Sequence, residues 1–240
     1  MHPLYEQVRA RLIEGISAGR WRPGEAIPSE GTLAETYGVA IGTIRKAVDA
    51  LVAEQVLDRQ QGKGTFVTQH DESRRLFHFF HVVGDDGHKA FPELRTISFR
   101  RDRADAASAS ALGIAPHEKV IRIRNVLSLE AAPRILDDIT LPASLFPGLS
   151  EKIFLARGNT IYHLYQSRYG INVLRADERL RAVIATAEDA KLLRVEPGAP
   201  LLEIRRVALT FRDRPVELRV SRVDTSRFEY HNTLGKGAPP

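Results

Sequence analysis

The stretch Ile27–Thr68, IPSEGTLAETYGVAIGTIRKAVDALVAEQVLDRQQGKGTFVT, decides how this chain is read. Ser29 is a good N-cap for a helix over Glu30–Tyr37, and Gly38 closes that helix. Ile44, Val48, Leu51 and Val52 recur at helical spacing, which predicts a second helix over Ile41–Glu54. Its exposed face carries Thr43, Arg45 and Lys46. Val56-Leu57 and Phe66-Val67 are short strand candidates, and Arg59–Thr65 between them has the glycines of a tight turn. Two helices about a turn, followed by a basic two-stranded wing, form a shape suited to duplex DNA, with wing amides available to a phosphate or a minor groove.

Upstream, Leu4, Val8, Leu12, Ile13 and Ile16 repeat at three and four residues, so Pro3 to about Ala18 is a supporting helix stopped by Gly19. Downstream, Gln69–Arg75 is polar and lacks apolar period, as a linker does. The expected division is therefore a head over 1–68, a linker over 69–75 and a second domain over 76–235. The chain has 240 residues, a net charge of +5 and no cysteine, which excludes disulfides, thiolate metal sites and thiol nucleophiles. Residues 1–70 carry eight basic groups against eight acidic ones, so the positive excess lies in the second domain. DNA affinity must then come from where charges sit, from helix N-termini and from a paired second head. There is no apolar run of membrane-spanning length and no signal peptide, so no membrane partner and a cytoplasmic location are expected.

Pro28-Ser29-Glu30, Leu33-Ala34, Gly38-Val39, Thr43-Ile44-Arg45, Ala47-Val48 and Gly62-Lys63-Gly64-Thr65-Phe66-Val67 resemble the winged-helix domain of the GntR family of bacterial transcription regulators. The resemblance implies DNA contacts from Ser29, Glu30, Gly31, Ala40, Ile41, Thr43, Arg45, Lys46, Gln61, Gly62, Lys63 and Gly64. Gly31 stands where an arginine is common, and Ala40-Ile41 replaces the usual Ser-Arg. An arginine fork on guanine supplies about 1–3 kcal/mol of discrimination. Glycine and isoleucine offer close approach or an apolar contact with a thymine methyl, so a different operator is expected. Alanine is also a weaker N-cap than serine, by about 0.5–2 kcal/mol.

Beyond the linker, Ala104–Leu112 reads as a helix stopped by Gly113, and Val120–Leu129 and Arg134–Leu141 as a hairpin about Glu130-Ala131-Ala132. A helix over Thr160–Tyr169, a strand over Asn172–Ala185, a short helix to Leu193, and strands over Leu201–Phe211 and Val216–Val223 follow. Strands joined mostly by hairpins indicate an antiparallel sheet with helices packed on it, so the fold class is α+β. The order of Leu141-Pro142, Pro197-Gly198, Pro200-Leu201-Leu202 and Pro215-Val216-Glu217 is similar to the UTRA effector-binding domain of the HutC subfamily, which shares the chorismate-lyase fold. That resemblance puts the ligand pocket on Asp137, Thr160, Tyr162 and Glu217. Members that take sugar phosphates tend to carry arginines near Asn125 and Leu127 and a tyrosine near Val223, none of which is present here. A polyhydroxy or amine-bearing ligand is favoured, with Asn125 beside it, while Arg95, Arg222 or Arg227 remain able to receive a carboxylate or phosphate. The plain alternative for Asp137 and Glu217 is that of strand acids facing solvent.

Among other chemistries, His78-Phe79-Phe80-His81 puts two histidines on opposite faces of a strand, a poor chelate, so no metal is expected. No nucleophile and base set or phosphate loop is present, so no cofactor and no catalytic residues are expected. The expected protein is a homodimeric, ligand-responsive repressor, not an enzyme, whose partners are a pseudopalindromic double-stranded DNA operator and a small-molecule effector. The alternative is a small-molecule enzyme of chorismate-lyase-like fold with a vestigial DNA-binding head.

Overall fold

A computed structural model describes residues 3–54, 56–69, 80–89, 92–157 and 160–232. These fall into two compact units: residues up to 69 together with 160–174 and 210–212, and the remainder from residue 80 onward. In the first unit α1 (Leu4–Ser17), α2 (Glu30–Tyr37) and α3 (Ile41–Ala53) precede the hairpin β1 (Leu57–Gln60) and β2 (Gly64–Val67). The periodic residues do what their spacing requires: Val8, Leu12, Ile16, Leu33, Ile44, Val48 and Leu51 close into one buried cluster with Val56, Leu57 and Val67. The Ser29 hydroxyl accepts from the Thr32 amide at 3.2 Å, and Gly38 ends α2 at φ 65°, a left-handed position that suits glycine. Ala40 gives α3 no side-chain cap.

The second unit is built on a six-stranded antiparallel sheet in the order β4-β5-β6-β9-β8-β7. Here β4 is Glu93–Arg103, β5 Lys119–Leu129, β6 Ala132–Pro142, β7 Arg175–Ile184, β8 Pro200–Leu209 and β9 Pro215–Val223. Helix α4 (Ala106–Leu112) joins β4 to β5, and α7 (Ala187–Leu193) joins β7 to β8. The strand-helix-strand-strand pattern thus occurs twice. The backbone repeats with it: Gly113 and Arg194 end the two helices in the left-handed region, and the two hairpin turns, Glu130-Ala131 and Arg212-Asp213, each hold both residues at positive φ. Each half folds outer strand first, so the inner strands β6 and β9 meet at mid-sheet. One sheet face is covered by α7, through Val126, Leu136, Ala190, Leu193 and Leu201, and by α4. On the other, Leu127, Ile135, Ile204 and Val223 pack against the small sheet of β3 (Val82–Gly84) and β10 (Phe228–Tyr230).

Differences from the sequence expectations have local causes. The wing strands run further into the expected turn, leaving only Gln61-Gly62-Lys63 outside the ladder, because Arg59 pairs with Thr65 and Gln60 with Gly64. The strand expected from Asn172 starts at Arg175: the Asn172 side chain is buried and accepts from Gln166 Nε2 at 2.6 Å. The strand expected to reach Phe211 stops at Leu209, where the left-handed Arg212 turns the chain. Strand β4 has no counterpart among the expectations, since as an edge strand with a bulge between Thr96 and Ser98 it lacks a clean apolar alternation. Helix α5 (Glu151–Leu155) and strands β3 and β10 are equally unforeseen, each being too short for periodicity to register. The linker beyond Gln69, and His78 and Phe79, lie outside the described residues.

Candidate functional site

In the first unit the candidate DNA residues converge on the start of α3 and the wing. Ile41 is 48% exposed at the first position of α3. A side chain added at Gly42 would meet no atom within 4 Å, and one at Gly31 only the Ser29 hydroxyl at 3.8 Å. With no capping side chain from Ala40, the Ile41 and Gly42 amides at the start of α3 are open to water or to a phosphate, while the Thr43 amide donates to the Ala40 carbonyl at 2.9 Å. Thr43, Arg45 and Lys46 follow on the outer side, with Thr43 half-buried and the two bases exposed. Arg45 is not free: Glu30 accepts from its Nε at 3.0 Å and from Arg59 Nη2 at 3.0 Å, and Arg59 also reaches Asp49 at 2.9 Å. The Lys46 ammonium lies 4.2 Å from the centroid of the Tyr5 ring. Gln61, Gly62, Lys63 and Gly64 form the exposed wing tip, with Gly62 at φ 73° and Gly64 at φ 123°. Glu30 thus bridges one arginine of α3 and one of the wing hairpin.

In the second unit Asp137 and Glu217 are almost wholly buried, which removes the reading of solvent-facing strand acids. Both are gripped by Arg219, a residue the sequence expectations omit. Arg219 Nε and Nη2 bind the Glu217 carboxylate as a fork at 3.0 and 3.1 Å, while Nη1 reaches Asp137 at 3.1 Å. Ser221 Oγ donates to the other Asp137 oxygen at 2.6 Å. The register sets Asn125 directly opposite Asp137 and Thr96 opposite Asn125, so Thr96, Asn125, Asp137 and Ser221 form one row across four strands. Thr96 Oγ1 donates to Asn125 Oδ1 at 2.8 Å, and Asn125 Nδ2, fully buried, has no hydrogen-bond partner among the described residues. Turning the amide round would only exchange which end is idle, because a threonine hydroxyl can donate or accept. Further along this face the Tyr230 hydroxyl and Arg206 both bind Glu178, and burial pushes the tyrosine above its ordinary titration range.

Arg95 and Arg222 stand apart from the other candidates. Arg95 pairs across from Val126 and Arg222 from Leu136, so both lie on the opposite face from Asn125 and Asp137. There Arg222 is consumed by Asp138 at 3.0 Å and Asp189 at 2.5 Å, and Arg124 joins the same carboxylate of Asp138 to Glu188. On that face Asp105 caps α4 by accepting from the Ser108 amide at 2.7 Å and binds Arg122 at 2.6 Å. The backbone hydrogen bond, helped by Arg122, holds the Asp105 carboxyl down to about 2. Arg227 is exposed, 3.8 Å from Glu130. Thr160 is the N-cap of α6 (Ile161–Tyr169) and Tyr162 is buried within it, 5.7 Å from the Tyr165 ring; both belong to the first unit. Arg219 and Ser221 were detectable in principle, since they alternate with Glu217 on one face of a strand. Thr96 was not, because its strand was unforeseen.

Among the described residues no three metal-binding side chains cluster, and no helix is long and apolar enough to cross a membrane. Residues 4–67 match the model described as bacterial regulatory proteins, gntR family, and residues 88–229 match the UTRA domain. A "Probable fructoselysine utilization operon transcriptional repressor" of Escherichia coli (strain K12) is 34% identical over 90% of this chain and 88% of its own length. The histidine utilization repressor of Klebsiella aerogenes is 29% identical over 85% of this chain and 83% of its own. Among solved structures, a ligand-binding domain ascribed to a GntR-family transcriptional regulator of Bordetella bronchiseptica superposes with a TM-score of 0.64 at 39% identity, covering 66% of this chain and 98% of that one. These relatives are named as regulators, and none of them supports the enzyme alternative.

Proposed function

We propose, from the premise that the chain belongs to the gntR family of bacterial regulatory proteins, HutC subfamily, and carries a UTRA domain, that a homodimer of it reads a pseudopalindromic operator and answers to a polyhydroxy or amine-bearing effector. The protein is a ligand-responsive DNA-binding repressor, not an enzyme. The head supports operator reading through Ile41, Thr43 and Arg45 on α3 and the Lys63 wing tip. When phosphates arrive, the Glu30 clasp opens: an exposed ion pair is worth at most about 1 kcal/mol, less than a set of phosphate contacts returns.

The effector assignment rests on Asn125. A buried amide end without a partner costs free energy comparable to a lost hydrogen bond, so it is well placed to meet a ligand hydroxyl or carbonyl. A neutral amide gives a phosphate far less than a guanidinium would. The relative named for fructoselysine, a polyhydroxy chain carried on an amine, makes fructoselysine the first probe. A ligand that prefers one of two head spacings shifts DNA affinity by its differential binding to the two states.

The test is selection of duplexes from a random pool by the full chain at near-physiological salt. One two-fold symmetric site is expected, and Arg45→Ala should weaken binding to it by about 10- to 100-fold. An asymmetric site, or none, would overturn the operator reading. Release of the selected duplex by fructoselysine or a related sugar amine, lost in Asn125→Leu, is expected. Equal response in Asn125→Leu would remove that residue from the site.

A further inference from the structure

Arg45 and Lys46, consecutive cations of α3, are held in opposite ways. Neighbouring helix residues point roughly 100° apart, so the two side chains reach different flanks. Arg45 turns to the wing, where Glu30 accepts from its Nε at 3.0 Å, and Arg59 is held by the same carboxylate and by Asp49. Lys46 turns to α1, where its ammonium lies 4.2 Å from the centroid of the Tyr5 ring and forms no ion pair among the described residues. Tyr5 packs against the buried cluster of the head, and its hydroxyl donates to Glu6 at 3.2 Å. One side chain therefore keeps a cation on its face and an anion at its hydroxyl end, and the two do not meet.

The two modes differ in what reaches the solvent. A carboxylate cancels most of the distant field of the guanidinium it binds. An aromatic ring attracts a cation through its quadrupole and has no net charge, so Lys46 keeps its whole unit charge while its rotamers are restricted. With Arg45 paired, Lys46 and the wing-tip Lys63 are the uncompensated cations among the candidate DNA residues, and Lys46 is the one that a ring holds in position. We infer that Lys46, positioned by Tyr5, captures the duplex at encounter, and that Arg45 engages afterwards, once a phosphate has displaced Glu30. This rests on the operator reading above and divides it into two kinetic stages. Uncompensated charge acts over a screening length of about 8 Å at physiological salt and sets the association rate. Contacts made only in the docked complex set the dissociation rate. Tyr5 is a positioning residue in this scheme: without its ring Lys46 and Glu6 stand side by side, and pairing with Glu6 would cancel the charge that steers.

The test is the association and dissociation rates of the full chain on its selected duplex, followed by stopped-flow fluorescence. Lys46→Gln should slow association about three- to tenfold at about 0.1 M salt, change dissociation by less than about twofold, and lose most of its deficit at about 0.3 M. Arg45→Ala should speed dissociation about tenfold or more and leave association near the parent rate. Tyr5→Leu should slow association as Lys46→Gln does, add nothing to it in the double variant, and be restored by Glu6→Gln. Lys46 is exposed, so Lys46→Gln decides the kinetic division even where Tyr5→Leu unfolds the head. An effect of Lys46→Gln on dissociation alone would overturn the encounter role. A folded Tyr5→Leu that associates at the parent rate, or that Glu6→Gln does not restore, would overturn the role of Tyr5. Both failures leave operator binding standing, whereas a parent chain that selects no duplex would overturn the operator reading and this inference together.

Discussion

Each unit contains arginines held by carboxylates, and the two arrangements act differently because one is wet and the other dry. In the head Glu30 clasps Arg45 and Arg59 on an exposed surface, where either arginine can leave for a phosphate at small cost. In the sheet Arg219 sits between Asp137 and Glu217, both buried, where removing the guanidinium would strand two carboxylates away from water. The same chemistry serves as a releasable clasp in one place and as a fixed strut in the other. Burial, not residue type, decides which.

The largest expected effect tests the strut. Arg219→Ala should cost about 3–5 kcal/mol in denaturant unfolding, as removal of one partner from a buried ion pair does. A loss below about 1 kcal/mol would mean that the cluster is effectively solvated, and the contrast with Glu30 would vanish.

Asp105 is more than half exposed, yet its carboxyl is held down to about 2 by the Ser108 amide and Arg122. Its folded value lies below its unfolded value, so it contributes stability above about pH 4 that is lost as pH falls through about 2. After discounting for solvent screening that share is about 1 kcal/mol or less. Asp105→Asn keeps a capping side chain but cannot titrate. Unfolding midpoints at pH 7, 4 and 2 should converge for the variant and the parent at the acid end. A constant offset across the range would assign the role to geometry rather than charge.

The smallest stability effect belongs to the clasp. Glu30→Gln should change unfolding stability by no more than about 0.5 kcal/mol. The freed Arg45, with Arg59 then held by Asp49 alone, should raise affinity for random duplex and steepen its salt dependence by one to two units of slope, roughly 0.9 per phosphate engaged. Unchanged salt dependence would show that Glu30 does not restrain them.

Much of the head was legible because its determinants are local. Ser29 as cap, Gly38 as stop and the three- and four-residue spacing of Ile44, Val48 and Leu51 act within one or two helical turns, so the chain order already contains them. The sheet's hairpins were legible for the same reason, down to the turn at Glu130-Ala131. What tertiary structure alone decided is which side each polar strand residue faces and what it meets there. Arg95 and Arg222 read as available cations, yet register placed them on the other face, where Asp138 and Asp189 take up Arg222. Asp137 and Glu217 could equally have been solvated, until the antiparallel meeting of β6 and β9 brought Arg219 between them. A strand's pattern carries its two-residue alternation, but a shift of one residue in register sends every side chain to the opposite face, and only long-range pairing selects the register.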